Sequence, residues 1–121
     1  METGLVFDYN GNFIHWHVPP DRSSGYLPDS RSLWEVLWEN RTFLGGVAHT
    51  HPWNGEAHPS TTDTTTFAAI EAGLGKRLVW PIVTFSEVRY YVRSDQEYVL
   101  MDHRRFRIRR SLIEELRNLS R

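Results

Sequence analysis

The sequence predicts an α/β fold, a mixed sheet flanked by helices, in one domain spanning residues 1–121. Three observations predict it. Short strand-like runs recur along the chain, at "GLVFDYNGNFIHWHV", "FLGGVAH", "RLVWPIVTF", "EVRYYVR" and "EYVLMDHRRFRIR". Helix-patterned segments, "SLWEVLWENR", "STTDTTTFAAIEAGLG" and "SLIEELRNLSR", are interleaved with them. A content of 40% hydrophobic and 13% aromatic residues supplies a core and argues against disorder.

Taken in order, the first run reads as two strands around Asn10-Gly11, a strong hairpin signal. "PPDRSSGYLPDS" is a loop by its Pro, Gly, Ser and Asp content. The first helix places Leu33, Trp34, Leu37 and Trp38 on one face, and Ser32 with Glu35 has capping-box spacing. "FLGGVAH" suits a buried strand. In the second helix Ser60 is the expected N-cap, Phe67, Ile70 and Leu74 the buried stripe, and Gly75 the C-cap. Pro81 marks "RLVWPIVTF" as a bulged or edge strand. Two further strands follow, the second reaching into the arginines, and an amphipathic helix ends the chain. The order, two strands and then α-β-α-β-β-β-α, suits helices packed on a mixed sheet.

Composition excludes several classes. With no cysteine there is no disulfide, no zinc–thiolate site and no thiol nucleophile. No apolar run approaches the roughly 20 residues that span a bilayer. No signal peptide is visible, so a cytoplasmic location is expected. Charge is uneven: residues 1–75 hold three Lys+Arg against nine Asp+Glu, and residues 76–121 hold eleven against six. Much of the basic excess lies in "DHRRFRIRR", Asp102 to Arg110, which would suit phosphate or an acidic partner. The alternation of Phe106 and Ile108 with Arg105, Arg107 and Arg109 is better read as a half-buried strand with a solvated face.

The chemistry gathers in "GGVAHTHPWNGEAHPSTTD". Side chains at i and i+2 of a strand leave on one face, roughly 6–7 Å apart, so His49 and His51 can converge on one divalent ion. Asp63, in the first turn of the following helix, can point back and supply a third ligand. Two imidazoles and one carboxylate leave a fourth zinc position for water, a catalytic rather than a structural pattern. Each residue also has a plainer role. A lone histidine is more often a polar surface residue, and Asp63 can complete a capping box with Ser60.

His49-Thr50-His51-Pro52 followed by Pro59-Ser60-Thr61-Thr62-Asp63 resembles the JAMM signature of the JAB/MPN metalloproteases. The resemblance implies a three-layer, cytidine-deaminase-like architecture of minimal prokaryotic type. It implies a zinc-dependent peptidase or isopeptidase acting after the C-terminal tail of a ubiquitin-like or sulfur-carrier-like protein. His49, His51 and Asp63 would be the Zn2+ ligands, and Ser60 would help hold the oxyanion. Eight residues separate His51 from Ser60, one more than the family usually has, an insertion placed in the loop "WNGEAH". The family's general acid/base is a glutamate on an earlier strand, in a segment like Glu-Thr-Gly-Gly; Glu2 of "METGLVF" is the nearest match. Glu35, Glu39 and Glu56 are the other carboxylates open to that role, and Glu56 and His58 could also touch metal or substrate. Trp53 would pack on a substrate tail or simply cover the loop. Two other readings stand beside the enzyme: a non-catalytic MPN-like scaffold, as a homodimer or in a partner-protein complex, and a RadC-like nucleic-acid-associated protein.

Overall fold

The structure is a computed structural model that describes residues 1–102 and 104–121. The described residues form strands β1 (Gly4–Asp8), β2 (Phe13–His17), β3 (Leu44–Thr50), β4 (Trp80–Val83), β5 (Val88–Ser94) and β6 (Glu97–Leu100). Helix α1 (Arg31–Glu39) lies between β2 and β3, α2 (Thr61–Leu74) between β3 and β4, and α3 (Arg110–Leu119) follows β6. The strands make one sheet in the order β2-β1-β3-β4-β5-β6, antiparallel except for the parallel β3–β4 pair. The expected mixed sheet with helices is therefore present, with the elements in the expected order.

Period-2 alternation sends side chains of the inner strands β1, β3, β4 and β5 into the core on both sides of the sheet. Val6, Val47, Trp80, Ile82 and Tyr91 pack with Leu33 and Leu37 of α1 and Phe67 of α2. Leu5, Phe7, Ala48, Val83 and Tyr90 pack with Ile113 and Leu116 of α3. Three layers result, with α1 and α2 on one face and α3 on the other. None of the described helices is long and apolar enough to cross a membrane.

The β1–β2 hairpin turns where Asn10-Gly11 predicts it. Gly11 takes a φ of 83°, and Asp8 Oδ1 accepts from the amides of Asn10 and Asn12, each at 2.9 Å. Gly46 serves a different need: a Cβ there would lie 1.8 Å from the Val79 carbonyl oxygen, so only glycine lets β3 approach the start of β4.

Four local expectations are corrected. The N-cap of α1 is Ser30, whose Oγ accepts from Leu33 N at 3.0 Å; Glu35 instead pairs with Arg31 on the surface. Trp34 and Trp38 are 38% and 45% exposed, so only Leu33 and Leu37 of that apolar set reach the core. Pro81 lies in a fully buried central strand rather than at an edge. The β3–β4 ladder is broken there, between Gly46↔Val79 and His49↔Ile82, where proline offers no N–H. Finally, β6 stops at Leu100. The following segment leaves the sheet at a turn in which the Arg105 amide donates to the Asp102 carbonyl, and Ile108 N is then caught by the Tyr90 hydroxyl. Ile108 is buried and the neighbouring arginines are exposed, so the alternation holds without a strand; His103 lies outside the described residues.

Candidate metal centre

Strand register brings the site together. In the antiparallel β1–β3 pair Gly4 faces His49, and the same register carried upward sets Thr3 beside Thr50 and Glu2 beside His51. Thr50 N donates to the Thr3 carbonyl at 3.0 Å, and Thr3 N donates to Thr50 Oγ1 at 2.8 Å. Glu2 N is held by the Ser23 carbonyl at 2.7 Å, and the Arg22 guanidinium donates to Thr3 Oγ1. His51 lies one residue past β3, but its amide still donates to the Val83 carbonyl of β4 at 2.9 Å. Glu2, His49 and His51 thus share one face, and all three are buried.

Helix α2 presents the fourth side chain. Ser60 caps it as expected: Oγ accepts from Asp63 N at 3.0 Å, and Ser60 N donates back to Asp63 Oδ2 at 2.9 Å, a complete capping box. The cap does not exhaust Asp63. Its Oδ1 lies 3.2 Å from His49 Nε2 and its Oδ2 lies 3.0 Å from His51 Nε2. Asp63 is thus a cap partner and a direct neighbour of both imidazoles at once.

The two imidazole nitrogens are 3.2 Å apart. Glu2 adds a carboxylate oxygen, and one ligand atom from each of Glu2, His49 and His51 falls within 4.8 Å of the others. This is a buried group able to hold a metal ion. Two carboxylates therefore compete for the third donor place. Asp63 is in direct contact with both imidazoles, whereas Glu2 stands farther back, with its acid group on the same side.

The chemistry of the donor set fits a small divalent ion. Donors roughly 2.0–2.1 Å from a tetrahedral ion stand about 3.3 Å apart, close to the separations found among His49, His51 and Asp63. Two ring nitrogens this close to each other and to a carboxylate can be bridged by N–H hydrogens or by a metal ion. Burial alone would raise the Asp63 carboxyl, but hydrogen bonds from His49 and His51 and from the Ser60 amide hold it far below the ordinary range. Burial raises the Glu2 carboxyl, and the nearby histidines only partly oppose it.

His51 Nδ1 is buried with no hydrogen-bond partner among the described residues. Packing orients this ring instead: Trp53 lies against it with centroids 4.6 Å apart. The remaining candidates from the sequence fall elsewhere. Glu35 and Glu39 are exposed on α1. Glu56 is exposed, pairs with His58 and faces Arg89 at 3.9 Å. Neither Glu56 nor His58 lines the cleft of about 380 Å³ in which Glu2, His49, His51, Ser60 and Asp63 meet. No protein-family model matches the chain, and no curated protein matches it in sequence.

Two supporting groups had no place in the sequence reading. His17, paired with Gly4 on β1, donates from Nε2 to the Pro28 carbonyl at 2.7 Å and so ties the loop after β2 over the cleft. Glu71 is buried in α2, where its carboxyl accepts from Leu78 N at 2.8 Å, Trp80 Nε1 at 3.1 Å and the Tyr98 hydroxyl. Its signal was present: an acidic residue set between Phe67 and Leu74 at helical spacing interrupts an apolar stripe.

Proposed function

We propose that the chain is a zinc-dependent metallopeptidase or isopeptidase that cuts the bond following the C-terminal tail of a ubiquitin-like or sulfur-carrier-like protein. One observation carries the reading: His49, His51 and Asp63 meet at 3.0–3.2 Å, with the Glu2 carboxylate inside 4.8 Å of the imidazoles. The JAMM-like spacing of the same residues supports it. His49 Nε2, His51 Nε2 and one Asp63 oxygen would hold the ion and leave a coordination place open. Zinc bound there lowers the pKa of a water to about 7 and polarises a carbonyl.

The remaining steps belong to the side chains. Glu2 takes the proton of the attacking water on its carboxylate and passes it to the leaving nitrogen. Its upward pKa shift, caused first by burial, suits a carboxyl that must carry a proton between two transfers. Ser60 Oγ already accepts from Asp63 N, so its hydroxyl hydrogen is left to donate to the oxygen that becomes negative. Such a donor contributes about 3–4 kcal/mol to the transition state. The buried faces of Trp53 and Phe67 border the imidazoles and limit water around them.

Metal analysis and turnover together test the reading. The purified protein is expected to hold one zinc, to lose hydrolysis of a modifier-tail fusion with a chelator, and to recover it with zinc. Glu2→Gln should keep the zinc and lose about 100-fold or more in kcat. Full turnover in that variant removes Glu2 from the mechanism, and hydrolysis surviving complete metal removal removes the metal.

A further inference from the structure

The cleft continues beyond the donor cluster, and its far end differs in kind. Its volume of about 380 Å³ sits near the small end of the roughly 300–1,000 Å³ usual for ligand sites. Leu33, Val47, Ile70 and Trp80 line its apolar part, and Phe67 joins that part to the imidazoles, its ring centroid 4.3 Å from that of Trp80 and 5.9 Å from that of His49. Val47 precedes His49 by two residues on the same face of β3, which puts the apolar end about 6–7 Å from that ligand.

Helix α2 forms one wall, and along it Thr62, Thr66 and Ile70 follow at i, i+4 and i+8, about 6 Å per step. The threonines of this helix divide in two. Thr64 and Thr65 turn their hydroxyls back to the Thr61 carbonyl, at 3.1 and 2.9 Å. The hydroxyls of Thr62 and Thr66, which line the cleft, make no hydrogen bond among the described residues. Tyr26 and Leu27 form the opposite wall, on the loop that His17 pins through Pro28. Glu2, Asp29 and Asp63 are the charged side chains of the lining, and no lysine or arginine joins them among the described residues.

We infer that the cleft takes a short extended peptide segment with a large apolar side chain within two residues of the scissile carbonyl, on the acyl side. The inference rests on the hydrolase reading above and names its substrate. With the carbonyl at the donor cluster, one pleat repeat of an extended chain covers the same 6–7 Å that separate His49 from Val47. A leucine or phenylalanine side chain then reaches the apolar end, while the Thr62 and Thr66 hydroxyls face the substrate main chain. Two glycines alone would leave that end filled with water.

The test uses the zinc-loaded full chain and two peptide sets. Blocked tripeptide amides carry Leu, Phe, Gly or Asp at either of the two positions preceding the cut bond, and matching free acids are titrated calorimetrically. Leu and Phe are expected to exceed Gly by about 10- to 100-fold in kcat/KM and in acid affinity, with Asp weakest. Thr66→Trp, which narrows the cleft away from the metal ligands, should bring the Leu-to-Gly ratio towards one at unchanged zinc stoichiometry. Ile70→Ala, which widens the apolar end, should shift preference from Leu towards Phe. Cleavage with Gly equal to or better than Leu overturns the inference and leaves the hydrolase standing. Apolar acids that bind preferentially without any amide being cut uphold the cleft assignment and remove the hydrolase. Acids that bind without discrimination overturn the inference outright.

Discussion

Asp63 holds two kinds of bond at once, and Asp63→Asn separates them. Asparagine keeps a carbonyl oxygen that can accept from Ser60 N, a bond of 2.9 Å in the native chain, so the cap of α2 survives. It loses the negative charge that faces both imidazoles. Without metal the substitution should cost about 1 kcal/mol, the range of a weakened cap and helix-end charge, because the amide oxygen can still accept from Ser60 N and His51 while its NH2 donates to His49 Nε2. For 121 residues the unfolding entropy is about 0.25 kcal/mol/K, so that cost lowers Tm by about 4 °C. Zinc at 100 times its Kd stabilises the native protein by about 2.7 kcal/mol, or about 11 °C on the same scale. A variant whose affinity falls 100-fold would gain only about 0.4 kcal/mol, under about 2 °C. Scanning calorimetry of both proteins, first in chelator and then with zinc, reads all four quantities. If Asp63→Asn keeps the full zinc shift, direct contact has misidentified the third ligand and Glu2 must take that place. If the metal-free variant melts more than about 10 °C early, the cap argument fails instead.

Two further outcomes follow from the buried groups Glu71 and His17. Glu71→Ala leaves three donors around an empty site and should destabilise by about 3–6 kcal/mol, whereas Glu71→Gln keeps an acceptor for Leu78 N and Trp80 Nε1 and should cost about 1 kcal/mol; urea unfolding that shows equal losses would refute the network. Burial lowers the pKa of His17 below its ordinary value despite the opposing Pro28 bond, so the unfolded chain binds the extra proton as pH falls. Stability from this group is full above about pH 6.5 and declines on acidification, by up to about 1.4 kcal/mol per pH unit. Metal-free His17→Gln should show a shallower decline in urea midpoint between pH 7.5 and 5.5, and an unchanged slope would remove His17 as its source.

What the sequence revealed depended on whether a signal was local. The Asn10-Gly11 turn, the Ser60 cap and Gly75, with its φ of 64°, are each decided within four residues, and each stands where the pattern puts it. Local competition misled at α1, where Ser30 and Ser32 both have the chemistry of a cap and only the extended backbone of Ser30 settles the choice. Pro81 misled for another reason. Its missing N–H forbids one rung, and the chain tolerates that in a central strand because β3 and β4 still pair on both sides of the gap. The arginine run kept its alternation without a ladder, since Ile108 is buried by a tyrosine hydroxyl and a helix rather than by a neighbouring strand.

The same division runs through the site. His49, His51, Ser60 and Asp63 are recognisable together because a strand end and a helix start fix their spacing. Glu2 is not fixed by any neighbour in sequence; its place beside His51 follows from the register in which β1 pairs with β3, with Ser23 holding its amide. That register has its own lock in Thr50, the residue between the two histidines, whose Oγ1 takes the Thr3 amide and meets Ser120 Oγ of the terminal segment at 2.8 Å. A slip of one residue would send Glu2 to the opposite face of the sheet and bring Thr3 towards the imidazoles. The hydroxyls beneath the cluster therefore matter to it without touching it, and they join the first residues of the chain, the middle strand and the end of α3 in one buried contact.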